Sequence, residues 1–237
     1  MLPLGGSDVA LRAMMCFARQ SVNEDFRCGE NQPYLLLLTY YFLPITSYYG
    51  EFMLDLLSLQ KQFLLPHIKE GDRVADFTMG NGYDTVFLSN AVGESGSVTA
   101  FDIQPSALES TAANLKRNAC PANWRLVCAS HDRAPEFIDG KIKAGIFNLG
   151  YLPGSGNKAL TTARRTTLPA VKNALEMIDS EGILLVAVYP GHPEGAAEGE
   201  ELCRFFSTVS RFKFSITQIR LLNSPESPFF IVAEKAH

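Results

Sequence analysis

The feature that most restricts how this chain can fold is an alternation, from Gly71 onward, of short apolar runs with stretches of helical periodicity. Gly71-Asp72 turns the chain into a strand at 73–77, and the Gly80-Asn81-Gly82 loop then leads to a helix at 84–91. A Gly-rich turn at 93–96 precedes a strand at 97–102, and helix 105–118, strand 124–128, strand 144–148, helix 166–178 and strand 182–189 follow. Strands separated by helices and joined by short loops pair in parallel, with right-handed crossovers that place helices on both faces of the sheet. The end of the chain breaks this pattern: a helix at 198–210 gives way to 213–222, a Pro/Ser turn at 223–228 and a strand at 229–234. Two strands joined by such a turn form an antiparallel hairpin at the sheet edge. The expected fold is therefore α/β, a mostly parallel seven-stranded sheet with a C-terminal antiparallel hairpin.

A length of 237 residues fits one such domain plus an appendage, and the division falls at residues 1–56 and 57–237. No residue from Asn31 to Gly50 is charged, but Pro33 and Pro44 bracket only about ten apolar residues, whereas a membrane span needs roughly 20. A packed helix or strand is expected there, and no membrane association. The early residues mix Asp8, Arg12, Arg19, Glu24 and Asp25, a poor match to a secretory or organelle leader. A cytoplasmic location is expected, with plastid or mitochondrion the alternative if the extension is a degenerate targeting segment. An apolar N-terminal helix would also suit pairing of two copies. From Phe52 through Met53, Leu56, Leu57, Leu59, Phe63 and Leu64, apolar residues recur at helical spacing until Pro66. Hydrophobic residues at 46% exclude wholesale disorder, and a net charge of −4 excludes a surface coated with phosphate-neutralising cations. Five cysteines without a C-x-x-C pair, and four scattered histidines, predict reduced thiols and no metal site.

Three constellations carry chemistry. The first, Asp76-Phe77-Thr78-Met79-Gly80-Asn81-Gly82-Tyr83-Asp84, sits where the first parallel strand hands over to a helix, the edge at which open α/β sheets bind ligands. Its glycines permit close backbone approach, and the helix start offers unpaired N–H groups. The G-x-G-x-x-G pattern fails at Thr85, and the same residues also suit a plain strand-to-helix turn. The second is Asp102, closing the next strand, with Ile103 and Gln104 after it; a carboxylate there can accept hydrogen bonds from ribose hydroxyls. It serves NAD and S-adenosylmethionine equally, and capping of the helix from Pro105 is the alternative role. Ser130-His131-Asp132 follows a third strand at the same edge. The third constellation, Asn148-Leu149-Gly150-Tyr151, resembles the N-P-P-Y tetrapeptide of amino-group methyltransferases. There an Asn carbonyl accepts hydrogen bonds from the target amine and the Tyr stacks on the base. Together the three favour S-adenosylmethionine over NAD.

The ordered blocks at 76–85, 101–104, 130–132, 147–154 and Tyr189-Pro190-Gly191-His192-Pro193-Glu194-Gly195 resemble the rRNA methylase family. That group of class I methyltransferases includes the bacterial tRNA 5-(aminomethyl)-2-thiouridine methyltransferase. The resemblance runs from about residue 60 to the C-terminus and implies a Rossmann-like fold and S-adenosyl-L-methionine as cofactor. It implies cofactor contacts from Asp76, Gly80, Asn81, Gly82, Asp84, Asp102, Gln104, Ser130 and His131. Asn148 and Tyr151 would face the methyl acceptor. An alkylammonium acceptor must first lose a proton, to His131, to His192 or to water. Lys158, Arg164 and Arg165, in a loop like the family's Gly- and Thr-rich substrate loop, are candidates for RNA phosphate contacts. Tyr83 and Pro190 stand where the family usually has His, and the 154–158 segment is longer than the usual form. The implied activity is N-methylation of the aminomethyl group of a tRNA wobble (thio)uridine. An rRNA or small-molecule amine methyltransferase, or a non-catalytic protein of this fold that binds S-adenosylmethionine or RNA, are the alternatives.

Overall fold

The computed structural model describes residues 56–150 and 164–237. The uncharged run at 31–50 and the segment carrying Tyr151 and Lys158 lie outside the described residues, as does the side chain of Arg164.

Helix α1 (Leu56–Leu64) and a single 3₁₀ turn lead into β1 (Arg73–Asp76), α2 (Tyr83–Val92), β2 (Ser97–Asp102), α3 (Pro105–Arg117) and β3 (Trp124–Cys128). A 3₁₀ helix at His131–Glu136 precedes β4 (Ile142–Leu149), α4 (Arg164–Met177), β5 (Ile178–Val188), α5 (Pro193–Phe206), β6 (Phe214–Ile219) and β7 (Phe229–Lys235). The seven strands form one sheet in the order β3-β2-β1-β4-β5-β7-β6. β1 to β5 run parallel, and β7 lies antiparallel between β5 and β6. The chain winds outward from β1 through β2 to β3, then returns to the other side of β1 with β4. The order therefore reverses between β1 and β4, which opens a crevice at their carboxyl ends.

Alternation along the strands splits the core into two layers. Phe77, Phe101, Phe147, Leu184 and Val186 share one cluster with Val171 and Ala174 of α4 and Leu202 and Phe206 of α5. Ala100 and Met79 pack on the other face with Ala107 of α3. Because both faces are covered, β5 is buried at every position from Ile183 to Val188, as a central parallel strand must be. Phe77 stacks on Phe147 with centroids 4.4 Å apart and lies parallel to Phe101 at 5.9 Å. The stack has a consequence for chemistry. Each phenylalanine adjoins a polar residue, Asp76, Asp102 or Asn148, and a period of two sends that neighbour to the opposite face, towards α2. About 1.5–3 kcal/mol for each buried ring holds those three polar groups at one level.

Three features depart most from the sequence expectation. β5 begins at Ile178, where a helix was expected to continue, because Glu181 takes a left-handed conformation (φ 57°) and bulges the strand. The pairing with β4 shifts there, from Ile142 opposite Ile178 to Ala144 opposite Ile183. Gly182 is required by the same bulge, since a Cβ would stand 2.7 Å from the Lys143 carbonyl oxygen. The last long helix starts at Pro193, five residues before the expected 198, with Pro at its first turn and His192 as N-cap. The 3₁₀ helix at His131–Glu136 was not anticipated.

Candidate active site

Parallel strands deliver their carboxyl ends to one edge, so the segments following β1, β2, β3, β4 and β5 all meet there. Asp76, fully buried at the end of β1, accepts hydrogen bonds from the Thr85 hydroxyl (2.6 Å) and the Thr78 N–H (3.1 Å). Burial raises its pKa from 3.8 to about 7; the nearby Asp84 adds to the rise, and the two hydrogen bonds oppose it. Asp102 accepts from the Gly80 N–H (3.1 Å) and the Gln104 N–H (2.9 Å), which joins the glycine loop to the end of β2. Burial raises the Asp102 pKa while these backbone donors lower it. Each carboxylate oxygen keeps a further lone pair, the acceptor capacity that a ribose diol requires.

The glycine loop is shaped by packing. Gly82 has φ 81° and forms the N-cap of α2, and a Cβ there would lie 2.8 Å from the Cα, Cγ2 and Oγ1 atoms of Thr111. Its glycine is thus needed for α2 to approach α3, as well as for the strand-to-helix turn that the sequence reading offered beside ligand approach. Thr111 also donates to the Gly80 carbonyl oxygen (3.1 Å), and the Asn114 amide donates to the Asn81 carbonyl oxygen (3.1 Å). Gln104 is the N-cap residue of α3 without a side-chain capping bond.

Across the crevice, the Asn148 N–H donates to the Thr78 hydroxyl (2.7 Å), tying the end of β4 to the β1 loop. The Asn148 amide Nδ2 donates to Asp84 Oδ2 at 2.6 Å, and Lys61 Nζ of α1 lies 3.7 Å from Asp84 Oδ1. Asn148 Oδ1 is buried and has no hydrogen-bond partner among the described residues. A carboxylate can only accept, so the amide must turn its NH₂ to Asp84 and leave its carbonyl free. Burial raises the Asp84 pKa and Lys61 lowers it.

Ser130 is the N-cap residue of the 3₁₀ helix that His131 begins. The His131 ring is buried edge-on against Phe147 (5.6 Å), and its Nε2 also lacks a partner among the described residues. Burial lowers the His131 pKa, which keeps the imidazole neutral near pH 7. His192 follows β5 at the same edge, where its Nδ1 accepts the Gly195 N–H at 3.0 Å and so caps α5. Arg165 is exposed on the first turn of α4.

The structure thus gathers Asp76, Gly80, Asn81, Gly82, Asp84, Asp102 and Asn148 around the β1/β4 crevice, with Ser130, His131 and His192 on the same edge. Thr78, Thr85 and Lys61, absent from the sequence-based set, join them. Thr78 and Thr85 lay inside the first motif, whereas nothing local marked Lys61. Elsewhere, a depression of about 520 Å³ at the opposite edge is lined by Lys69, Lys143, Glu181, Arg211 and Lys235. It contains none of the site residues. Among the described residues there is no group of three or more His, Cys, Asp or Glu able to hold a metal ion, and no helix long and apolar enough to cross a membrane.

Comparison with known proteins places this edge in context. A family model described as "Putative rRNA methylase" matches residues 98–235, more than half of the chain. A second, for protein-L-isoaspartate(D-aspartate) O-methyltransferase, matches residues 51–133. The chloroplastic tRNA (mnm(5)s(2)U34)-methyltransferase of Arabidopsis thaliana is 35% identical over 177 residues, which are 69% of this chain and 63% of that protein. The present chain therefore spans less than two thirds of that relative's length. A crystal structure titled putative rRNA-methylase from Clostridium thermocellum superposes with TM-score 0.74 at 35% identity, covering 77% of this chain and 98% of that one. A putative methyltransferase of Streptococcus mutans, solved in complex with SAH, superposes with TM-score 0.70 at 32% identity, covering 77% and 99%.

Proposed function

This chain belongs to the rRNA methylase family, of Rossmann-like class I methyltransferase fold, and from that premise we propose that it N-methylates the aminomethyl group of a tRNA wobble (thio)uridine. The observation that carries the proposal is Asn148. Its carbonyl oxygen is buried and has no partner among the described residues, while its amide NH₂ is held by Asp84. An acceptor oriented in this way suits an N–H of a neutral amine and aims the nitrogen lone pair away from itself. An O-methyltransferase acting on an anion would gain nothing from it.

S-adenosyl-L-methionine, when bound, supplies an electrophilic methyl group. Asp102 would hold its ribose, with Gly80, Asn81, Gln104 and Ser130 around it; the retained acceptor capacity of Asp102, and a His131 Nε2 with no partner among the described residues, fit an adenosine-containing ligand. The protein's remaining work is to desolvate the amine, orient it and receive the proton it must lose. Asn148 does the orienting. His131, neutral because it is buried, and His192 are the candidates for the proton. Tyr151 would stack on the base, and Lys158, Arg164 and Arg165 would meet RNA phosphates. The tRNA assignment draws support from the Arabidopsis relative, whose name gives U34 of tRNA as its site. A tRNA methylase could work in the cytoplasm or, like that relative, in a plastid.

Methyl transfer from labelled cofactor into total tRNA lacking its final wobble methylation, read by nucleoside mass spectrometry, tests the proposal. A new methylaminomethyl nucleoside is expected. Asn148→Ala should lower kcat by about 10²-fold or more with cofactor affinity retained. Transfer to rRNA or free amines but not to tRNA would overturn the substrate assignment and keep the reaction.

A further inference from the structure

The geometry points to Lys61 as a positioning residue: by pairing with the Asp84 carboxylate it fixes which end of the Asn148 amide faces the methyl acceptor. The inference rests on the reading of Asn148 as the acceptor's hydrogen-bond partner. It adds a residue of α1, outside the region matched by the rRNA methylase model, that touches neither cofactor nor substrate in the proposed reaction.

Three observations carry it. Asp84 stands between the other two residues, with one oxygen 2.6 Å from Asn148 Nδ2 and the other 3.7 Å from Lys61 Nζ. Asn148 Oδ1 is buried and has no partner among the described residues, so the amide's orientation is set from the Asp84 side, while the backbone bond to Thr78 holds the end of β4 in place. Finally, Lys61 is itself placed: it lies on the helix that leads into β1, with Nζ 5.5 Å from the Phe87 ring centroid, a cation–π distance.

The chemistry depends on the charge of Asp84. An ionised carboxylate accepts from the Asn148 NH₂ and leaves the carbonyl for the amine. A protonated one becomes a donor, and the better partner for it is the Asn148 carbonyl, which would turn the NH₂ towards the acceptor amine and oppose the N–H it must accept. Burial favours the protonated form of Asp84. The other acidic groups here are Asp76 at the end of β1 and Asp102 at the end of β2, and the charges of Asp84 and Asp102 both favour a proton on Asp76. Lys61, from α1, opposes the effect of burial on Asp84. Asn148, from β4, is neutral. An opposite charge at this range lowers a carboxylate pKa by roughly 1–3 units. Lys61 therefore shifts Asp84 towards the ionised form that this Asn148 orientation requires, while Asp76 is the carboxyl that burial favours as the proton's holder.

The test uses Lys61→Met, which keeps the stem and removes the charge, and Lys61→Arg, which keeps the charge. The Asn148 side-chain amide resonances, assigned by their loss in Asn148→Ala, are followed by ¹H–¹⁵N NMR against pH in the full chain without an RNA. Wild type and Lys61→Arg should share one titration midpoint, and Lys61→Met should titrate at least about 1 pH unit higher. In the tRNA assay, the ratio of wild-type to Lys61→Met kcat/KM should shrink as pH rises through that midpoint, because Asp84 is ionised in both proteins at high pH. Proton loss by the amine is common to both and cancels. Cofactor Kd should stay within about twofold. Equal midpoints for wild type and Lys61→Met would overturn the inference, as would a Lys61→Arg protein that behaves like Lys61→Met. Absence of any methyl transfer to RNA alongside shifted midpoints would instead count against the proposed reaction and leave the Lys61–Asp84–Asn148 relay standing.

Discussion

Asp76 should make this protein less stable as pH rises through neutrality, and Asp76→Asn should remove that dependence. The carboxyl is fully buried, and its pKa is raised from an ordinary 3.8 to about 7. Between those values the folded protein holds a proton that the unfolded chain has released. Stability is therefore complete below pH 3.8, falls across the interval and reaches its floor above pH 7. A displacement of about three units, at about 1.4 kcal/mol each, makes the loss about 4 kcal/mol. In Asp76→Asn the amide oxygen can still accept the Thr78 N–H, and the NH₂ can donate to the Thr85 hydroxyl in place of the present bond. Urea unfolding at pH 4.5, 6, 7 and 8 gives the stability difference between variant and wild type, with contributions from His131 and Asp102 cancelling. That difference should move in favour of the variant by about 3–4 kcal/mol from pH 4.5 to 8. A difference that stays flat would mean that Asp76 is ionised throughout, and would refute the picture of a site that stores its proton on Asp76.

Gly82→Ala should cost about 2–4 kcal/mol, because it forces a left-handed alanine and drives a Cβ to 2.8 Å from the Thr111 backbone. Gly140→Ala, with φ 78° but only the Arg73 guanidinium nearby at 3.2 Å, should cost about 1 kcal/mol; equal losses in urea titrations would show that the α2–α3 contact is not what fixes Gly82. Asp102→Ala removes the partner of both Gly80 and Gln104 together with the proposed ribose acceptor, so calorimetry should find cofactor Kd raised by about 10²-fold. Unchanged affinity would take Asp102 out of the cofactor site. His192→Ala should lose about 1 kcal/mol with the α5 cap, while His192→Asn keeps a capping acceptor. Full turnover in His192→Asn would limit His192 to capping and leave the proton to His131.

The order and type of the strands were legible because each is a short apolar run bounded by Gly, Asp or Pro, and a parallel sheet with a terminal hairpin follows from their spacing. β2 and β3 match residue for residue. What the pattern concealed was irregular backbone. The left-handed Glu181 that starts β5 early leaves no mark in the sequence, because Glu is a residue that normally avoids this conformation. The α5 start could have been read: His192-Pro193 is a capping residue followed by proline at the first helical position, with Glu194 in the first turn. Polar density concealed it.

The site divides along the same line between local and distant information. Asp102 and the glycine loop stood out in the sequence because each closes a strand or turns the chain into the next helix. The Asp84–Asn148 hydrogen bond joins residues 64 apart in sequence, and Lys61 meets Asp84 from a helix that precedes the first strand. Neither follows from spacing. The resemblance alone marked Asp84, as a cofactor contact, and its carboxylate meets an amide on β4 and an ammonium on α1. The phenylalanine stack explains why the two ends meet. Phe77 and Phe147 fix β1 and β4 at one register and level, and the alternation of the strand sends the residues beside them, Asp76 and Asn148, to the α2 side. There the first turn of α2 offers the Thr85 hydroxyl to Asp76 and the Asp84 carboxylate to Asn148. Core packing on one face thereby determines which polar groups confront each other on the other.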